Sequence, residues 1–237
     1  MLVCGTAFDP RTTTAVELRG VGEITAESLL GLSQLANVRT LLVSDSTFSD
    51  AGWAALMEVV RGLPVSELGV SGCALGPRHA ADLADYVLSA GGSLTTLRCG
   101  SNPGMVGELD RHGRLKTPDA HIESFRQLCE ALKPSQVTEV DFSGCGLGPL
   151  GAGCVADYVR NAIAALVEVN LSGCPLTGAT YEVNDAQTAM VWKNIDSKME
   201  GFIALCSVIG KVHTLSLSDC HLGPASAAEL SKLLNMC

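Results

Sequence analysis

Three groups of residues have the types and spacing that chemistry uses. Gly146-Leu147-Gly148-Pro149-Leu150-Gly151 matches G-x-G-x-x-G and lies between a strand-like and a helix-like run, the context in which glycine backbone cradles a dinucleotide phosphate. His213, Cys220 and His221 are the one mixed cluster of metal-ligating types among five scattered histidines. Glu139, Asp141 and Glu168 are paired carboxylates of the kind that acid–base hydrolysis employs. Each has a plainer reading that the sequence favours. Turns at Gly76-Pro77 and Gly223-Pro224 keep only the glycine–proline core, so the further glycines of 146–151 belong to a turn. Cys220 falls on an apolar ladder and should point inward as a small hydrophobe. Nothing supplies the acids with a nucleophile, a base partner or an apolar pocket that would raise a carboxyl pKa. The chain therefore reads as non-enzymatic, with no catalytic, cofactor-binding or metal-ligating residue. Asn170-Leu171-Ser172 is a glycosylation sequon in form only, since it falls inside an expected strand.

The elements that must hold these residues announce themselves as a recurring ladder. Val137, Val140, Phe142, Cys145 and Leu147 follow L-x-x-L-x-L-x-x-C-x-L. The spacing returns at Val65, Leu68, Val70, Cys73 and Leu75, at Leu166, Val169, Leu171, Cys174 and Leu176, and at Val212, Leu215, Leu217, Cys220 and Leu222. Leu94, Leu97 and Cys99 open another copy with Asn102 in the cysteine position, and Val38, Leu41 and Val43 open one with Ser46 there. Between copies, apolar residues at helical spacing such as Leu56, Val59, Val60 and Leu63 predict helices. Pro77, Pro149 and Pro224 suit first turns, where a missing N–H costs nothing. Helices are expected at about 119–132, 149–162 and 224–234, another runs through Met199, Phe202, Cys206 and Ile209, and Gly91-Gly92 ends the helix after Pro77. Residues 1–37 read as an N-terminal cap with a degenerate copy at Val16, Leu18, Val21 and Ile24, followed by a helix capped by Thr25 and running to Leu32.

Strand starts at Val65, Leu94, Val137, Leu166 and Val212 give intervals of 29, 43, 29 and 46 residues, so plain units alternate with expanded ones. A shift of 72 superimposes Gly72-Cys73 on Gly144-Cys145, Ala84-Asp85-Tyr86-Val87 on Ala156-Asp157-Tyr158-Val159, and Asn102 on Cys174. A shift of 77 then matches Phe125 to Phe202 and Cys129 to Cys206. The sequence thus reads as a duplicated two-unit block, with loop insertions at about 105–118 and 177–196 that vary in length because they stay out of the core.

Over residues 38–237 this pattern resembles the ribonuclease-inhibitor class of leucine-rich repeat proteins, which includes the sensor regions of NOD-like receptors, tropomodulin and the Ran GTPase-activating protein. The resemblance implies a leucine-rich repeat solenoid of α/β class. This is a right-handed αβ horseshoe with a parallel concave sheet and outer helices, forming one domain over 1–237 with six repeats after the cap. It implies binding of proteins rather than an activity, because the class shares scaffold residues only.

Composition narrows the partner. With 16 Lys plus Arg against 25 Asp plus Glu, the net charge is -9, which disfavours nucleic acid and anionic membrane and suits a basic protein segment. No apolar run approaches the roughly 20 residues of a membrane helix, and the start lacks the apolar segment of a secretion leader, so a cytoplasmic protein is expected. The ten cysteines include no C-x-x-C pair and mostly fall on ladder positions, as buried reduced thiols do.

What remains for function are the residues between ladder positions and the two loops. Thr40, Glu67, Thr96, Glu139, Glu168 and Thr214 should share one column of the concave face, and Leu42, Gly69, Arg98, Asp141, Asn170 and Ser216 the next. Strands about 4.8 Å apart would gather Glu139, Asp141 and Glu168 into an acidic patch near Glu67. The first loop should form a hairpin turning at His112-Gly113 and presenting Arg111, Arg114 and Lys116. The second should turn at Asn184-Asp185 and present Tyr181, Met190, Val191 and Trp192, and the two should pack side by side. The expected function is a non-enzymatic interaction scaffold, binding a protein partner through Glu67, Arg98, Glu139, Asp141 and Glu168 on the sheet and Arg111, Arg114, Tyr181 and Trp192 on the loops. Two alternatives are a GTPase regulator resembling the Ran activator and a structural subunit that associates with its own kind through an uncapped end at Asn235-Met236-Cys237.

Overall fold

The computed structural model describes residues 1–90, 92–183 and 190–234. Seven strands, β1 (Ala15–Arg19), β2 (Thr40–Ser44), β3 (Glu67–Ser71), β4 (Thr96–Arg98), β5 (Glu139–Asp141), β6 (Leu166–Asn170) and β7 (Val212–Ser216), form one parallel sheet in chain order. A helix follows each strand from β2 onward: α1 (Asp50–Arg61), α2 (Pro77–Ser89), α3 (Ile122–Leu132), α4 (Pro149–Asn161), α5 (Glu200–Cys206) and α6 (Pro224–Leu234). Parallel neighbours need a long crossover, and these helices provide it.

Alternation along each strand decides which face is covered. Leu68, Val70, Leu97, Cys99, Val140, Phe142, Val169 and Leu171 are fully or almost fully buried against the helices, joined in one cluster with Leu83, Phe125, Val155 and Phe202. Their neighbours in sequence face the other way, and most stay half-exposed, with Gly69, Thr96 and Gly100 buried. The sheet is therefore packed on one side and open on the other.

The cysteine position of the ladder is a hydrogen-bonding position. Each thiol donates to a strand carbonyl of the preceding unit: Cys73 Sγ to Val43 O at 3.5 Å, Cys145 Sγ to Cys99 O at 3.1 Å, Cys174 Sγ to Phe142 O at 3.4 Å and Cys220 Sγ to Leu171 O at 3.2 Å. Burial pushes the Cys73 thiol up to about 11 and Cys220 to about 12, so both remain protonated donors at neutral pH. Of the nine described cysteines, eight are buried and Cys4 is partly exposed. In a Cys237→Ser background, Ellman's reagent is expected to label Cys4 within minutes and the other eight only on unfolding; rapid native labelling of those eight would contradict this packing.

The structure departs from several sequence expectations. Residues 15–19 form a full seventh strand, and the segment after it makes two 3-10 turns, Glu27–Leu29 and Leu32–Gln34, instead of a helix to Leu32. The residue that precedes the first of these turns is Ala26, without a side-chain cap, while Thr25 and Ser28 exchange bonds: the Thr25 hydroxyl accepts from Ser28 N at 3.4 Å, and Ser28 Oγ accepts from Thr25 N at 3.0 Å. The helix expected from Asp119 begins at Ile122, and the one through Ile209 stops at Cys206 and gives way to a 3-10 turn, Ile209–Lys211. The insertions are not wholly outside the core, since Met105, Val106, Thr177 and Ala179 are fully buried. Their bases are closed by backbone bonds, His121 N to Val106 O at 2.7 Å and Lys198 N to Thr177 O at 2.9 Å. Gly91, the Asn184-Asp185 turn and the Asn235-Met236-Cys237 end lie outside the described residues.

Candidate functional site

On the open face, the register of the sheet sets the columns. Thr40, Glu67, Thr96, Glu139, Glu168 and Thr214 are paired strand to strand, and Leu42, Gly69, Arg98, Asp141, Asn170 and Ser216 form the next column. Both continue onto β1 through Ala15 and Glu17. Glycine at 69 leaves room for Leu42 to lie across it: a Cβ there would come within 2.7 Å of the Leu42 side chain.

Arg98 does more than line this face. Its Nε donates to Glu67 Oε1 at 2.8 Å and its Nη2 to Glu139 Oε2 at 3.3 Å, tying three adjacent strands. The bond to Glu67 raises the guanidinium pKa above its usual value, with Glu139 and Glu168 adding to the effect. Two of the four expected acids are thus partly neutralised from within. Asp141 Oδ1 accepts from Ser143 N at 2.9 Å, which fixes its side chain and leaves Oδ2 beside the Ser143 hydroxyl and Gly100. Glu168 makes no hydrogen bond among the described residues. Asn170, the formal sequon, holds Ser172 N through its Oδ1 at 3.0 Å. The open charge is therefore concentrated over β5 and β6, at Asp141, Glu168 and the outer side of Glu139.

At the carboxyl end of the strands stand two hairpins. In the first, Glu108–Leu109 pairs antiparallel with Leu115–Thr117. The expected turn at His112-Gly113 forms, with Gly113 at φ +75° and Asp110 Oδ1 accepting from His112 N at 2.7 Å and Arg114 N at 3.0 Å. The cations expected to be presented are partly used up. Arg114 Nε meets Asp110 Oδ2 at 3.2 Å, Lys116 Nζ meets Glu108 Oε1 at 3.0 Å, and Arg111 Nε donates to His112 Nε2 at 3.0 Å.

In the second hairpin Thr180–Val183 pairs with Met190–Lys193, placing Tyr181 opposite Trp192 with ring centroids 5.1 Å apart. Trp192 also stacks on His221 at 3.5 Å and 23°, and burial lowers the His221 pKa. The two rings remain 40% and 36% exposed, so they cover the last turn and still face solvent. The hairpins lie side by side as expected, strand Leu115–Thr117 against strand Thr180–Val183.

The G-x-G-x-x-G turn is an anion site already filled by the protein. Asp119, at φ +61°, reaches the start of α4, where Oδ1 accepts from Gly148 N at 2.7 Å and Gly151 N at 3.0 Å and Oδ2 from Leu150 N at 2.7 Å. This is the place a phosphate would take. Asp196, at φ +56°, does the same at the start of α6, accepting from Gly223 N at 3.2 Å, Ala225 N at 2.8 Å and the Ser226 hydroxyl. Burial works against the Asp196 charge, but the Ser226 and amide donors outweigh it and hold its pKa down. Sequence reasoning missed both aspartates, although the shift of 77 carries one onto the other. Among the described residues no three His, Cys, Asp or Glu groups converge as a metal site, and no helix is long and apolar enough to cross a membrane.

The chain was also compared with known proteins. No model of a known protein family matches it, and no curated protein sequence matches it.

Proposed function

We propose that the chain is a leucine-rich repeat solenoid of the ribonuclease-inhibitor type that acts as a non-enzymatic scaffold, binding a basic segment of a protein partner on its open sheet face. The observation that carries this reading is the half-buried group of Asp141, Glu168 and Glu139, which Arg98 satisfies on one side only. Carboxylates held by strands need little ordering on binding, so opposite charge arriving there gains more than on a mobile surface. The Tyr181–Trp192 pair extends the surface at one edge with the residue types that anchor protein interfaces.

A fluorescein-labelled lysine-rich peptide tests this by anisotropy at low salt. The double variant Glu139→Lys with Glu168→Lys is expected to weaken binding about tenfold or more. Glu58→Lys with Glu123→Lys makes the same change in net charge on exposed positions of α1 and α3 and should leave most of the affinity. Equal losses in the two variants would reduce the effect to net charge and remove the site.

A further inference from the structure

The duplication has left the two halves of the open face with different charge. A shift of 72 carries Glu67 onto Glu139, Gly69 onto Asp141, Thr96 onto Glu168 and Arg98 onto Asn170. The register keeps these equivalences in space. Strands β3 and β4 pair Glu67 with Thr96 and Gly69 with Arg98, as β5 and β6 pair Glu139 with Glu168 and Asp141 with Asn170. The second block has thus gained two carboxylates and lost the arginine.

In the first block the cation is internal. Arg98 Nε donates to Glu67 Oε1 on the preceding strand at 2.8 Å and Nη2 to Glu139 Oε2 on the following strand at 3.3 Å, and the Thr96 hydroxyl donates to the same Glu139 oxygen at 3.5 Å. In the second block the equivalent seat is at Asn170. Asp141 is its direct neighbour across the strands, Glu139 stands on the preceding strand as Glu67 does for Arg98, and Glu168 lies two residues back on the same face. Asn170 is short and neutral, and its Oδ1 is taken by Ser172 N at 3.0 Å. The following strand brings only Thr214 and Ser216 to the two columns. Glu168 and the Glu139 Oε1 atom accept no hydrogen bond among the described residues.

We infer that this seat takes an arginine side chain of the partner, whose guanidinium lies where a duplicated Arg98 would lie and joins Glu139 to Glu168 and Asp141. This rests on the docking role proposed for the open face and adds the residue that the docked segment must carry. Arginine suits the seat better than lysine for a geometric reason. A guanidinium has five donors in a fixed planar fork and can serve carboxylates on different strands at once, as Arg98 does, while an ammonium is a compact point charge.

The test compares two fluorescein-labelled peptides of equal charge, Gly-Ser-Arg-Gly-Ser-Arg-Gly-Ser and its lysine counterpart, by anisotropy on the full chain at low salt. The arginine peptide is expected to bind about tenfold more tightly. Asn170→Arg supplies the cation from within and should weaken that peptide about tenfold or more. Asn170→Leu gives up the same bond to Ser172 without adding charge, in a column that already holds a leucine at Leu42. Glu58→Gln makes the same change in net charge on an exposed position of α1. Both should bind as the unaltered chain does. Equal affinity for the two peptides, with both lost in Glu139→Lys with Glu168→Lys, would overturn the guanidinium seat and leave the acidic face standing. An Asn170→Arg chain that binds like Asn170→Leu would also overturn the seat. Saturable binding of neither peptide would overturn the seat and the acidic face together. The peptide comparison is made on the unaltered chain, so it decides the matter even if Asn170→Arg fails to fold.

Discussion

Asn102→Ala is expected to cost about 4–6 kcal/mol, enough to leave the central units partly unfolded at room temperature. The side chain is fully buried and makes five bonds to backbone. Its Oδ1 accepts from Cys73 N at 2.9 Å and Leu75 N at 3.0 Å, and its Nδ2 donates to Val70 O at 2.9 Å, Cys99 O at 2.8 Å and Gly100 O at 3.2 Å. Alanine would strand two amides where water does not reach, and each buried orphan costs roughly 1–3 kcal/mol. The informative comparison is Asn102→Cys. In the equivalent place the Cys174 sulfur donates to Phe142 O at 3.4 Å, and the nearby amides of Cys145 and Leu147 favour its thiolate, a weaker version of the same arrangement. Cysteine at 102 should therefore recover about half of the loss, measured by urea denaturation. If cysteine were no better than alanine, the ladder position would be filling volume and its hydrogen bonds would matter little.

That same position explains how much of the molecule could be read beforehand. A two-residue alternation inside a unit of about 29 residues is written into the apolar side chains, so the strands, the two open columns and the assignment of Asn102 to the cysteine place follow from spacing. The candidate site was legible to the same depth: Glu67, Arg98, Glu139, Asp141 and Glu168 share the face assigned to them. What spacing does not encode is which neighbour a flexible charged side chain chooses. Arg98 reaches into the neighbouring column to Glu67 and Glu139, and Arg114 and Lys116 fold onto their own hairpin. The start of α3, expected at Asp119 and found at Ile122, is read too early for a related reason. Asp119 and Asp196 have left-handed backbones and cap helices of the next unit, 29 to 32 residues away for Asp119, beyond the few residues over which capping patterns are read.

Asp119→Ala, the second large effect, follows from that long reach. Three amides at the start of α4 depend on one carboxylate brought in by the return of the first hairpin. Burial pushes the Asp119 pKa up, and the bonds from Gly148, Leu150 and Gly151 pull it back. Removing the carboxylate orphans those amides and gives up the favourable interaction of an anion with a helix N-terminus, while the left-handed backbone at φ +61° is common to both proteins. The sum is about 3–5 kcal/mol, or a fall in melting temperature of roughly 6–20 °C for a chain of this length. Asp119→Asn tolerates the same backbone and keeps one acceptor oxygen, but turns an NH2 group toward an amide donor, so its loss should be about half as large. Calorimetry orders the three proteins. A mere local cap would cost about 1 kcal/mol, and a loss that small for alanine would mean that the hairpin base and α4 are held together by packing alone. A loss near 4 kcal/mol with asparagine in between would establish that each insertion is fastened to the scaffold by its own aspartate. The hairpins could then differ in tip length, as the duplicated pair does, without losing their footing on the next helix.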